Sequence, residues 1–142
     1  MLCEEIMKCG VAYVSPDDPA GFAARRMLNE NIGFLPICDG SMRVLGTLTD
    51  RDIAIRLVAE DRPASTPVKE IMTQEVVACW PTDDVRRAEQ LMGRYHKSRI
   101  VCLDDEGCLV GVISLSDIAQ REDNHRIAKT MREVTRRETH GC

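Results

Sequence analysis

The sequence contains no uninterrupted apolar stretch near the ~18 residues that a membrane-spanning helix needs, and no basic-then-apolar N-terminus of the secretory kind. A cytoplasmic protein without a membrane segment is expected. Cysteine is plentiful, but pairing signals are not: Cys3, Cys9, Cys38, Cys79, Cys102, Cys108 and Cys142 are odd in number and include no C-x-x-C. Cys38, Cys79 and Cys102 fall in β-like apolar runs, where a reduced thiol behaves as a small buried hydrophobe, so a disulfide framework is not expected. The three histidines, His96, His125 and His140, are scattered without zinc-site spacing, and no metal is expected. An excess of positive charge is also missing. A formal net charge of −4 disfavours broad attraction to nucleic acid and leaves room only for a local patch that binds a small anion. There is no P-loop and no G-x-S-x-G, Ser114 has no histidine or lysine at a motif spacing, and the cysteines carry no catalytic signature. No catalytic residue is assigned, and an enzyme is not expected.

What is present is an ordinary globular composition, 44% hydrophobic and 30% charged over 142 residues. A chain of this length buries roughly two thirds of its unfolded surface, as one compact domain or two small ones.

The chain repeats itself. A shift of 65 residues lays Glu5–Met7 on Glu70–Met72, and holds without a gap through Val11 on Val76, Pro16 on Pro81, Asp18 on Asp83, Ala23 on Ala88, Met27 on Met92, Asp39 on Asp104 and Gly46 on Gly111, to Asp52–Ala54 on Asp117–Ala119. Residues 60–67, "EDRPASTP", form the linker between a first repeat over 1–59 and a second over 68–119, with a helical extension over 120–142. In the first repeat "VAYV", Val11–Val14, reads as a short strand, a helix follows Pro19, "FLPIC" and "VLGTLT" are strands around the turn "DGSMR", and a helix runs from Asp50 to Ala59. The second repeat matches it with "VVAC", a helix over Val85–Tyr95, "IVCL", the turn "DDEG", "CLVGVIS" and a final helix. The unit is β-α-β-β-α and the class is α+β. The final helix runs past its counterpart, and its apolar positions Ile118, Ile127, Met131 and Val134 are either an intrachain packing face or a subunit contact.

Each repeat places a hydroxyl and a carboxylate three residues apart where a strand becomes a helix: Thr49 and Asp52, Ser114 and Asp117. Such a pair caps a helix start, and the exposed N–H groups there also attract anions. Gly46 and Gly111, three residues earlier, either relieve crowding in the strand or let a ligand approach the backbone.

Two β-α-β-β-α units, each opening with "EIM" and closing on G-x-x-[ST]-x-x-D, resemble a tandem pair of cystathionine-β-synthase (CBS) domains, a Bateman module of the stand-alone bacterial type, from Glu4 to Ala119. The resemblance implies two repeats packed about a pseudo-twofold axis with clefts that bind AMP, ATP, NAD or S-adenosylmethionine. No cofactor is obligatory, and an adenine nucleotide, AMP favoured, acts as regulatory ligand. The resemblance assigns Asp52 and Asp117 to the ribose hydroxyls and Thr49 and Ser114 to ribose or phosphate, and it favours the ligand-approach role for Gly46 and Gly111. It draws the adenine wall from Ala12, Val14 and Pro36 in one repeat and from Val77, Cys79 and Val101 in the other, where Val101 departs from the usual proline. It makes Arg99 a phosphate ligand, with Arg51 reaching the same cleft. Phe34 and Ser116 stand at the matching places of the other cleft, so the Ser114 and Asp117 cleft is expected to hold the phosphorylated ligand more tightly. The implied protein is a cytoplasmic energy-sensing module, homodimeric, with an unknown effector protein as further partner. The alternative is a ligand-free module for dimerisation or partner docking.

Overall fold

The computed structural model describes residues 1–121 and 124–136. The last residues of the helical extension, including His140 and Cys142, lie outside the described residues. The chain forms two compact units. The Thr49 unit comprises Ala12–Val76 with Glu106–Leu109; the Ser114 unit comprises Met1–Val11, Val77–Asp105 and the chain from Val110 onward.

In the Thr49 unit, α1 (Ala20–Glu30) leads to the antiparallel pair β1 (Phe34–Cys38) and β2 (Val44–Thr49). α1 presents Ala20, Ala23 and Met27, at helical spacing, to a core that includes Leu35, Ile37 and Leu48. It stops at Asn31, whose left-handed φ of 53° is one that asparagine tolerates. β2 runs into α2 (Asp50–Asp52), and a 3₁₀ turn at Val68–Glu70 adds Val68 and Ile71 to the core.

The Ser114 unit holds a 3₁₀ turn (Cys3–Glu5), β3 (Ala78–Cys79), α3 (Val85–Tyr95), β4 (Arg99–Leu103), β5 (Leu109–Ser114), α4 (Leu115–Ala119) and α5 (Asn124–Thr135). Its sheet order is β3-β4-β5, with β3 parallel to β4. α3 ends on His96 with φ 55°, the counterpart of Asn31. The "EIM" segment of each repeat therefore packs with the other repeat's strands: Ile6 is buried with Ile113 and Ile100, and Ile71 with Leu35 and Leu48. Equivalent backbone bonds anchor the two segments, Cys3 N–H to Asp83 O at 2.8 Å and Val68 N–H to Asp18 O at 2.9 Å.

Three local expectations change. "VAYV" is no strand; only Val14 is bridged, its N–H donating to Pro36 O at 3.0 Å and its carbonyl accepting from Cys38 N–H at 2.9 Å. The next rung would need an N–H at position 36, which proline lacks. Val101 stands there in the second repeat and donates to Val77 O at 3.4 Å, and the short strand β3 follows, although only Ala78–Cys79 of "VVAC" belongs to it. The helix expected over 50–59 is α-helical only to Asp52. It continues as a π-helical segment, Ile53–Val58, with Ala59 N–H bonding Ala54 O. The long final helix is two, because the Arg121 N–H bonds back to Ile118 O at 3.0 Å and closes α4. Ile118, Ile127 and Val134 join the core of their own unit, which makes that stripe an intrachain face, and Met131 is left exposed.

Candidate functional site

The junction of β2 and α2 is a complete capping box. Thr49 is extended (φ −116°, ψ 163°), its Oγ1 accepts from Asp52 N–H at 3.1 Å, and its own N–H donates to Asp52 Oδ2 at 3.0 Å. The buried Asp52 carboxylate also accepts from the Thr73 hydroxyl, at 3.4 Å to Oδ1, and has Arg56 Nε 3.9 Å away.

The junction of β5 and α4 has the same outline with different closure. Ser114 Oγ accepts from Asp117 N–H at 3.1 Å and shares a 2.9 Å contact with Ser116 Oγ. Asp117 Oδ1 lies 3.5 Å from Lys8 Nζ; the carboxylate side chain is 17% exposed and the lysine 71%. Lys8 and Thr73 are equivalent under the 65-residue shift. Each belongs to the segment after a 3₁₀ turn, and each is pinned by two backbone bonds to the motif strand: Lys8 with Val112 (2.9 and 3.0 Å) and Thr73 with Thr47 (3.0 and 2.9 Å).

That crossing segment explains the motif glycines. A Cβ on Gly46 would stand 2.7 Å from Met72 Sδ and 2.8 Å from Thr73 O; on Gly111 it would meet Met7 Sδ at 2.8 Å and Lys8 O at 3.0 Å. The crowding role expected from the strand is the one the geometry supplies, and in this structure the neighbour that needs the space is the protein's own chain. A second paired device fixes the same segments. Arg56 donates to Met72 O at 2.8 Å, and its equivalent Arg121 donates to Glu5 O at 3.1 Å.

The remaining site residues fall as follows. Val14 and Pro36 are adjacent and buried, with Ala12 packed on the same core. Val101 is buried and bonded to the partly buried Val77, and Cys79 is buried with its thiol 3.3 Å from Cys102 Sγ. Hydrogen bonding to Cys102 pushes the Cys79 thiol up to about 12, and burial pushes Cys38 up to about 11, so both stay protonated and unreactive at neutral pH. Arg99 opens β4, exposed, where Phe34 opens β1. Arg51 belongs to the Thr49 unit and donates its N–H to Asp50 Oδ1 at 2.9 Å, whereas Arg99, Ser114 and Asp117 belong to the Ser114 unit. Among the described residues no group of three or more His, Cys, Asp or Glu is placed to hold a metal ion, and no helix is long and apolar enough to cross a membrane. Lys8, Thr73, Arg56 and Arg121 were not identified from sequence, although the repeat register that aligns them was in view.

With the fold and the two junctions defined, the class is defined as well: the chain belongs to the CBS domain family, whose model matches residues 3–59 and 68–123. It is 36% identical over 125 residues to the CBS domain-containing protein YhcV of Bacillus subtilis, covering 88% of each chain. Its fold is similar to that of Hypoxic Response Protein I, solved with two coordinated zinc ions (TM-score 0.78, 28% identity, 87% of this chain and 100% of that one). It is also similar to the CBS domain pair of protein MJ0100, solved with 5'-methylthioadenosine and S-adenosyl-L-methionine (TM-score 0.77, 26% identity, 84% and 94%).

Proposed function

We propose that this chain is a regulatory module that binds an adenosine-containing ligand at the Ser114–Asp117 and Thr49–Asp52 junctions. The observation that carries this reading is the Asp117–Lys8 pair at a helix start, with the lysine exposed and the carboxylate partly buried. A carboxylate there accepts the two hydroxyls of a ribose, while the ammonium beside it favours a phosphate. A diol acceptor beside a cation suits a nucleoside phosphate, and AMP is the favoured ligand. The complex of the MJ0100 pair with two adenosine derivatives supports the ligand class.

The module acts in the cytoplasm as a homodimer that passes ligand occupancy to an effector protein. With the α5 stripe used internally, the dimer contact falls to exposed side chains such as Phe22, Leu28 and Val58, and light scattering at micromolar concentration is expected to give twice the chain mass. The deciding experiment is a thermal-shift panel of AMP, ADP, ATP, NAD and S-adenosylmethionine. A ligand present at 100 times its Kd stabilises the native state by roughly 2.7 kcal/mol. A melting temperature unmoved by every compound would favour the ligand-free docking module.

A further inference from the structure

Whatever a doubled fold needs for its own stability should recur in both copies, so a feature built in one copy alone calls for another explanation. The groove between α3 and α5 is such a feature. It encloses about 650 Å³, within the ~300–1,000 Å³ of small-molecule sites. Five cations line it, Arg86, Arg94, Arg126, Lys129 and Arg136, against the carboxylates of Glu89 and Glu133, in a chain whose net charge is negative. Arg86, Gln90 and Arg94 lie four residues apart along one face of α3, a stripe about 12 Å long at helical rise. Under the 65-residue shift the α1 positions that match Arg86, Glu89, Gly93 and Arg94 are Gly21, Ala24, Leu28 and Asn29, which carry no charge; the match of Gln90 is Arg25, so α1 keeps one cation on this face where α3 has two.

Docking of α5 uses other groups. Arg126 forks onto the buried Glu89 with bonds of 2.9 and 3.1 Å, His96 Nδ1 contacts Glu133 O at 2.7 Å, and Gly93 leaves room for the Glu133 side chain. None of the ion pairs among the described residues uses Arg86, Arg94 or Lys129. These three cations sit on α3 and α5 facing one groove, Arg86 with the Asp84 carboxylate near it and Arg94 over the Tyr95 ring, and like charges gathered there repel one another. We infer that the α3–α5 groove is a second ligand site, separate from the hydroxyl–carboxylate junctions, that takes a small linear polyanion of the oligophosphate class. Charges spread along the groove match a phosphoanhydride chain better than a single phosphate, and guanidinium groups suit its oxygens.

The probe is inorganic tripolyphosphate, titrated calorimetrically at constant ionic strength. The proteins compared are the unmodified chain, the exposed-surface double variant Arg94→Glu/Lys129→Glu, and the junction double variant Asp52→Ala/Asp117→Ala. The inference expects the charge reversal to weaken tripolyphosphate at least tenfold with an unchanged melting temperature, and the junction variant to bind it normally. In the junction variant ATP should bind no more tightly than tripolyphosphate, because the phosphate chain is what the groove recognises. Binding that survives charge reversal, binding abolished by the junction variant, equal affinity for sulfate, or affinity that requires adenosine would each overturn it. Because the junction variant alone tests the nucleotide reading, the two can fail separately.

Discussion

At the end of β2, the Asp52 carboxylate, 11% exposed, accepts from the Thr49 N–H and the Thr73 hydroxyl and lies near Arg56; at the end of β5, the Asp117 carboxylate, 17% exposed, faces Lys8. Local sequence spacing is identical at the two junctions, and the backbone that crosses each motif glycine is held in the same way. The junctions differ in one side chain of that crossing segment, threonine in one unit and lysine in the other, and in how the cap is closed, by the Thr49 N–H on Asp52 in one and by the Ser116 hydroxyl on Ser114 in the other. Elements that maintain the fold recur as pairs: Gly46 with Gly111, Arg56 with Arg121, and the left-handed helix stops Asn31 and His96. Side chains that face solvent beside the carboxylates are free to diverge, and there the two halves acquire different chemistry.

The sharpest way to break this comparison is at the carboxylates. Asp117→Ala should weaken AMP by roughly ten- to a hundredfold, the ~1.5–3 kcal/mol of hydrogen bonds to a charged group, with folding retained. Calorimetric affinity that stays constant while the melting temperature falls would leave Asp117 with a structural role only. Next in size are the glycines. Gly46→Ala should destabilise by about 1–3 kcal/mol in urea unfolding, as overpacking does, and Gly111→Ala by less. The reason is that the added Cβ meets the Thr73 carbonyl at 2.8 Å in one case and the Lys8 carbonyl at 3.0 Å in the other. Equal losses would show that the two crossings are equally tight.

Smaller effects are expected from the caps. Thr49→Ala should lower stability by ~1 kcal/mol, and Ser114→Ala by a similar or smaller amount, because of these two junctions the one at Thr49 forms the reciprocal N–H bond of the capping box. A larger loss at Ser114 would point to its contact with Ser116 as structurally important. The smallest change converts one junction toward the other. Lys8→Thr should reduce the preference for AMP over adenosine by up to about fivefold, in keeping with the 0–1 kcal/mol of an exposed ion pair, and should leave adenosine affinity intact. If adenosine itself binds less well, the lysine supports the pocket rather than the phosphate.

Much of this architecture was legible along the chain. The repeat register, the β-α-β-β-α order, the family and the hydroxyl–carboxylate pairs all rest on spacing and periodicity, which are properties of neighbouring residues. Proline punctuation located α1 and α3 well, and the buried thiols Cys38, Cys79 and Cys102 follow from their apolar runs. The shortfalls have physical causes. "VAYV" has the composition of a strand, yet its partner carries Pro36, and a missing donor on another segment cannot be read from the segment itself. The π-helical stretch after Asp52 has no signature distinct from an α-helix in its apolar pattern.

The sequence by itself determined that there are two like halves, that each ends a strand on a hydroxyl and opens a helix with a carboxylate, and that both belong to one family. Local backbone preference and hydrophobic periodicity suffice for that. Tertiary structure alone decided which distant side chain meets each carboxylate, why the motif glycines admit no side chain, and that α5 lies on α3 to leave a cationic groove. Those outcomes depend on segments far apart in the chain being brought within a few ångströms, which burial of Ile6, Ile71, Ile127 and Val134 in their cores achieves and no local pattern encodes.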